Sequence, residues 1–357
     1  MSLRIGIVGC GAIHGTHAEA IQRIEQASIG GFYDVVHSRS AKAAETYGGF
    51  AYQSLDDLLS SVDAVAVCVP SGLHTEVGLK AVAAGKHVLV EKPIDVSFQI
   101  AMALVDGARE EGVTLSVISQ HRFSPEIQRL KRTIDAGELG HLIEGDAYIK
   151  WYRTQAYYDS GDWRGTWKLD GGGCLINQGI HYVDMIQWLM GGVKSVRAIV
   201  RTAAHDIEVE DSANVLVEYR NGAMGVIQGS TSYYPGFAER LEVHGKLGSV
   251  VVEGDRIKAW EIDDQPSDGS PYGRGVQMQP TPSLQLASLP TEVIDDTARR
   301  NSWVEQHRLQ ILDFIEACLE GREPFITGEM ALEPLKIVLA IYESARQDGR
   351  KIEVDSI

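Results

Sequence analysis

Two residue groups in this chain have the types and spacing for proton chemistry. The first is Glu91-Lys92-Pro93, which follows the apolar run His87-Val88-Leu89-Val90. If that run is a strand of a parallel sheet, Lys92 stands at its carboxyl end, where such sheets bind ligands. Pro93 fixes a backbone dihedral beside it and stiffens the turn. An ammonium group there can donate to a substrate oxygen, although a solvated surface lysine reads the same way in isolation. The second group lies in the stretch 174–184. Asn177, His181 and Asp184 are spaced four and three apart and share one face of a helix. Leu175, Ile176, Ile180, Val183 and Ile186 around them are apolar, so the polar stripe needs partners or a function. His181 is either a core histidine hydrogen-bonded to Asp184 or a general base, because imidazole can take a hydroxyl proton near neutral pH. The preceding Gly171-Gly172-Gly173 leaves room for a ligand against the backbone.

A third group suits a dinucleotide. Gly9-Cys10-Gly11-Ala12-Ile13-His14-Gly15 follows the apolar run 3–8. Gly9 permits a tight turn, and Gly11, with Ala12 and Ile13, opens a helix whose N-terminus can face a pyrophosphate. His14 occupies the third glycine position and Gly15 comes one place late, so a purely structural glycine turn stays open as a reading. Asp34 ends the next apolar run at about the spacing expected of a ribose-binding carboxylate. It favours NAD and repels a 2′-phosphate, while nearby Ser38 and Arg39 keep NADP possible. Pro70-Ser71-Gly72-Leu73-His74 would cross near the nicotinamide-side ribose, though His74 also suits a helix start. Glu91 and Lys92 complete the expected cofactor wall. Arg153, Tyr157 and Arg164 stand among Trp151, Trp163 and Trp167. Aromatic faces beside charged donors suit a polyhydroxylated ligand, and equally a subunit contact.

The elements that must position these groups change character midway. Apolar runs at 3–8, 29–33, 64–69, 87–90 and 114–118 alternate with helical patterns at 13–25, 41–47, 75–84 and 98–111. That alternation predicts βαβ units and a parallel sheet. After a strand at 142–151 and a helix at 174–190, strand-like runs crowd together at 194–201, 212–219, 224–230, 240–243, 249–253 and 258–260. Asn221-Gly222 marks a hairpin turn between two of them. These predict an α+β domain with an antiparallel sheet, closed by helices at 304–320 and 332–347. Residues 263–295, rich in Pro, Ser, Gly and Asp, are expected as a long loop or mobile arm. The chain of 357 residues is long enough for two domains, 1–121 and 122–357.

A net charge of −16 argues against nucleic acid or an anionic membrane surface as a partner. The four cysteines are widely spaced, and no secretory leader or run of 18 apolar residues is visible. A cytoplasmic protein with reduced thiols is expected. The histidines lack the spacing of a metal-dependent hydrolase, and no metal is expected.

Together these pieces resemble the Gfo/Idh/MocA family, named for glucose–fructose oxidoreductase and inositol dehydrogenase. The glycine turn with His17, Pro70…His74, Glu91-Lys92-Pro93 and the Gly-Gly-Gly…His-x-x-Asp helix occur in the family's order over nearly the whole chain. The resemblance implies an α/β Rossmann domain plus an α+β domain with a large, mostly antiparallel open sheet, assembling through that sheet as dimers or tetramers. It implies Lys92 as the active-site lysine and His181 as the catalytic histidine. Many members carry aspartate where this chain has Asn177, and an amide can orient a hydroxyl but cannot take its proton. The expectation is an NAD(P)-dependent dehydrogenase for a secondary alcohol of a sugar, cyclitol or sugar derivative, with Asn177 positioning the substrate. An NAD-retaining glycosidase and a non-catalytic dinucleotide-binding regulator are the alternatives.

Overall fold

The computed structural model describes residues 2–254, 256–263 and 296–357. The loop expected at 263–295 falls, after Asp263, outside the described residues. Six parallel strands, β1 (Leu3–Val8), β2 (Ala27–Tyr33), β3 (Phe50–Ala51), β4 (Ala64–Val67), β5 (His87–Val90) and β6 (Leu115–Val117), form the first sheet in the order β3-β2-β1-β4-β5-β6. Helices α1 (His14–Ile21), α2 (His37–Tyr47), α3 (Leu55–Ser60), α4 (His74–Ala83) and α5 (Phe98–Glu110) make the crossovers. This is the doubly wound Rossmann order, which reverses direction between β1 and β4 and opens a ligand crevice there. The Ala-Val-Ala-Val of β4 is buried at every position, as a parallel strand covered on both faces must be. Short β3 and α3 are additions to the elements expected from the sequence. The Ser54 side chain caps α3 by accepting the Asp57 N–H at 3.1 Å.

The second half contains α6 (Pro125–Asp135), β7 (Leu142–Lys150), the short α7 (Gln155–Tyr158), a π-helical turn at Cys174–Gly179 and α8 (Ile180–Met190). It continues with β8 (Val193–Arg201), β9 (Ser212–Tyr219), β10 (Met224–Ser230), β11 (Arg240–Gly245), β12 (Gly248–Glu253), β13 (Arg256–Ile262), α9 (Asp296–Glu320), α10 (Gly328–Arg346) and β14 (Ile352–Glu353). Eight strands pair in the order β13-β12-β11-β7-β10-β9-β8-β14. Only β7 and β10 run parallel; the other pairs are antiparallel. The sheet alternates as period-two strands should. In β9, Ala213, Val215, Val217 and Tyr219 point inward and Leu216 outward.

The inward face packs on α8 and α10, with Val183, Ile186, Leu335, Val338 and Ile341 in one buried cluster. Each such side chain contributes roughly 1.5–3 kcal/mol by leaving water. The outward face leaves Ile143, Ile199, Leu216 and Met224 exposed. Helix α9 returns to the first sheet, where Ile311, Phe314 and Ile315 share a core with Ile5, Ile7 and Ile21. The chain thereby closes around the crevice from both halves. No helix among the described residues is long and apolar enough to cross a membrane.

Candidate active site

A cavity of about 1120 Å³ runs from the β1–α1 turn to the start of α8. At its first end the chain leaves β1 at Gly9, whose φ is +93°. A Cβ there would sit 2.7 Å from the Cys68 carbonyl carbon, so the turn requires glycine. At Gly11 a Cβ would meet nothing within 4 Å, and Ala12 and Ile13 continue the open wall. Backbone N–H groups of the turn are therefore accessible to a phosphate. Asp34, just past β2, is anchored by the N–H groups of Cys10 and Val36, each at 2.8 Å. A carboxylate has about four acceptor positions, so capacity is left for ribose hydroxyls. The open glycine cradle and this carboxylate fit a dinucleotide. His14 uses its Nδ1 on the Gly11 carbonyl and sets its ring edge-on to Tyr47 and Phe32, filling the space beside the helix.

Midway, the turns after β4 and β5 meet. Pro70 and His74 line the cavity with Glu91 and Lys92. The buried His74 ring reaches the Pro93 carbonyl at 2.7 Å and the Val69 carbonyl at 2.9 Å. It thus fastens both turns. Glu91 is buried against His17, Oε1 to Nε2 at 2.8 Å. Burial opposes both charges. The His17 hydrogen bond and charge still hold Glu91 at about 2, and contact with Cys68 and Glu91 lifts His17 to about 10. The pair anchors the turn that carries Lys92, whose N–H donates to Glu91 Oε2 at 3.2 Å. The Lys92–Pro93 peptide is cis.

At the second end, Lys92 Nζ donates to the main-chain carbonyl of Asn177 at 2.7 Å. Burial pushes the lysine below its ordinary value; Arg164 and Arg153 push the same way, against Glu91 and Asp170. His181 is buried in the cavity wall, packed edge-on to His121 and Trp303 at 4.9 and 5.8 Å. Burial first, then the Lys92 charge, pushes its pKa well below the usual imidazole range. The ring is therefore neutral at pH 7 and can accept a proton.

One sequence-based expectation changes here, and one alternative reading falls. The helix expected at 174–190 begins with a π-helical turn, Cys174–Gly179, of the kind common at functional sites. The wider turn presents Gln178 as well as Asn177 and His181 to the cavity. Asp184 is not the partner of His181. It forms a buried bidentate pair with Arg122, Nε to Oδ2 at 2.8 Å. A Cβ at Gly173 would lie 1.7 Å from the Glu210 carbonyl oxygen, so this entry to the helix admits glycine alone. The Glu210 carboxylate accepts the N–H groups of Gly173 and Leu175, both at 2.9 Å. The Asn177 side-chain amide donates to Asp170 Oδ1, and Asp170 Oδ2 accepts the Gly165 N–H at 2.9 Å. A carboxylate therefore stands one hydrogen bond behind Asn177. Burial raises the pKa of Asp170, while Lys92 and Arg164 act in the other direction.

The segment after β7 supplies the remaining wall. Arg164 Nη1 donates to the Tyr157 hydroxyl at 2.6 Å, as does Gln178 Nε2 at 3.0 Å. Arg153, Tyr157 and Arg164 all line the cavity with Asn177 and His181. Sequence reasoning missed Asp170, Gln178, His121, Trp303 and His307. Only Gln178, beside Asn177, carried a local signal; the others reach the site through tertiary packing.

The first sheet and its glycine turn define an NAD-binding oxidoreductase domain. Residues 3–119 match the family model described as an oxidoreductase family with an NAD-binding Rossmann fold, and residues 127–251 match the GFO/IDH/MocA C-terminal domain. The chain belongs to the Gfo/Idh/MocA family of oxidoreductases. Its fold is similar to that of the WlbA dehydrogenase of Bordetella pertussis, crystallised in complex with NADH and UDP-GlcNAcA. The identity is 32%, with 99% of this chain and 97% of that chain covered and a TM-score of 0.84. Among curated relatives, scyllo-inositol 2-dehydrogenase (NAD(+)) of Bacillus subtilis is 25% identical over 99% of this chain and 96% of its own length. Myo-inositol 2-dehydrogenase of Thermotoga maritima is 26% identical over 76% of this chain and 81% of its own length.

Proposed function

We propose that the protein is an NAD-dependent dehydrogenase that interconverts a secondary alcohol and a ketone on a sugar, cyclitol or sugar derivative. One observation carries the reading: the buried His181 ring and the Lys92 side chain line the same cavity as the glycine turn and Asp34. Gly9, Gly11, Ala12 and Ile13 would cradle the pyrophosphate, and Asp34 the adenosine ribose, favouring NAD over NADP. NAD, when bound, would supply the hydride acceptor. His181 takes the hydroxyl proton as general base. Lys92 donates a hydrogen bond to the same oxygen and stabilises its developing negative charge. The alcohol loses one hydride and one proton, leaving a ketone, NADH and a protonated imidazole. Asn177 commits its N–H to Asp170, which leaves Oδ1 free to accept a substrate hydroxyl. Asp170 is a positioning residue that fixes that amide and adds a negative charge near Lys92. Arg153, Tyr157 and Arg164 hold the rest of the substrate. The relatives named for inositols, and the one crystallised with UDP-GlcNAcA, support a ring alcohol.

The exposed apolar face of the second sheet, with Ile143, Ile199, Leu216 and Met224, suits assembly into a homodimer or homotetramer. The test is NADH formation across sugars, inositols and sugar acids, with NAD and NADP in parallel. Turnover with NAD is expected. Cleavage of a chromogenic glycoside without net NADH would replace this reading with an NAD-retaining glycosidase. NAD binding with no turnover of any panel member would replace it with a regulator.

A further inference from the structure

The substrate end of the cavity holds two arginines, Arg153 and Arg164, that no carboxylate among the described residues ion-pairs. Lys92, Arg153 and Arg164 are near enough that both guanidinium groups help depress the lysine's pKa. Several other arginines are ion-paired, among them Arg122 with Asp184, Arg220 with Asp355 and Arg322 with Asp313. Among the described residues, no carboxylate lies within 4.0 Å of the Arg153 or Arg164 guanidinium. Arg153 Nη1 donates to the Tyr152 carbonyl at 3.2 Å, the guanidinium also lies against Tyr157, and its buried Nε has no hydrogen-bond partner. Arg164 donates to the Tyr157 hydroxyl. The nearest buried acid, Asp170, has both oxygens engaged by Asn177 and Gly165.

Both guanidinium groups lie over aromatic rings. The guanidinium of Arg153 lies 5.1 Å from the Tyr157 ring centre and 4.9 Å from that of Trp151. That of Arg164 lies 4.3 Å from Tyr157 and 4.5 Å from Trp163. Two like charges held on one aromatic ring, beside a lysine, repel each other and are costly to desolvate. A protein with a net charge of −16 has carboxylates in excess, yet places none against either guanidinium. A guanidinium is built to take an oxyanion through parallel N–H donors. The phosphates of a dinucleotide belong at the Gly9–Ile13 turn of the other half, so they do not account for this pair.

We propose that the substrate is an acidic sugar, and that Arg153 and Arg164 clamp an oxyanion on the ring that carries the reacting hydroxyl. The proposal rests on the dehydrogenase reading above for the identity of that hydroxyl. A carboxylate or a phosphate ester could supply the oxyanion, and the experiment separates them. The NADH-loaded full chain is titrated calorimetrically with D-glucuronate, D-galacturonate, D-glucose 6-phosphate, D-glucose and D-galactose. At least one acid is expected to bind about tenfold or more tightly than the matching neutral sugar, as charge-assisted hydrogen bonds require. That preference is expected to weaken with salt. A uronate preference assigns a carboxylate, and a 6-phosphate preference a phosphate. Arg153→Gln and Arg164→Gln are each expected to remove most of it, with bound NADH reporting that the variants are folded. Equal binding of acids and neutral sugars, or binding of no acid, overturns the proposal. NADH formation from neutral sugars alone would refute the clamp and leave the dehydrogenase reading standing. Acid binding with no hydride transfer to NAD from any sugar would do the reverse.

Discussion

Asp170→Asn tests how this site works with an amide at position 177. Wild-type Asp170 presents two acceptor oxygens to two donors, the Asn177 amide and the Gly165 N–H. An asparagine keeps one acceptor and turns an N–H₂ toward the other donor. A buried donor left unpaired costs about 1–3 kcal/mol, and losing the charge on the acceptor weakens the remaining bond. If the loss falls on Asn177, the substrate hydroxyl loses its fixed acceptor and kcat/KM drops roughly 10- to 100-fold at 1.4 kcal/mol per decade. The variant also removes a negative charge that supports the Lys92 ammonium, so the lysine pKa falls further. The alkaline limb of the pH profile of kcat should therefore move to lower pH. Steady-state NADH formation with saturating NAD, measured from pH 6 to 10, reads both effects. A variant with turnover within about twofold of wild type and an unshifted profile would refute the reasoning.

Three further outcomes follow from the same geometry. Arg122→Leu leaves Asp184 buried without its partner and should cost about 3–5 kcal/mol in urea unfolding, with partial recovery when Asp184 is also made Leu. For the His17–Glu91 pair the pH window runs in two directions. The depressed Glu91 contributes above about pH 4.5 and its contribution fades as pH falls toward 2; the raised His17 contributes fully below about 6.5 and its contribution fades as pH rises through 10. The melting temperature should therefore decline on both sides of that window, and His17→Gln should flatten the limb above pH 6.5. Asp34→Ser removes the carboxylate proposed to hold the ribose and should weaken NAD binding by about tenfold or more while narrowing the gap to NADP, read by fluorescence titration with both dinucleotides.

Local chemistry was legible and distant chemistry was not. Gly9, Gly11 and Asp34 lie within one strand–turn–helix–strand unit, so their spacing alone placed them together. Lys92 was readable from an apolar tetrapeptide and a proline. His181 and Asn177 were readable as a stripe, but the π-helical turn that widens it depends on Glu210, contributed by a different part of the chain. The alternative of a His181–Asp184 bond falls because Arg122, separated from Asp184 by 62 positions, takes the carboxylate. Asp170 carries no local signal, because only the fold brings the Asn177 amide onto it. In the second sheet, the alternating patterns gave the strands. The pairing of β7 with β10, parallel where the rest is antiparallel, joins segments far apart in sequence that no local pattern links. Two-residue strands such as β3 and β14 are too short to carry a period.

The central claim is that His181 takes the substrate proton while Lys92 holds the oxygen. Single-turnover hydride transfer in His181→Ala and Lys92→Ala, with NADH affinity measured on the same samples, tests it most directly. Loss of a positioned general base costs roughly 10²- to 10⁴-fold, so transfer should fall by that order in His181→Ala and severely in Lys92→Ala, with NADH affinity near normal in both. Transfer at the wild-type rate in either variant would contradict the account.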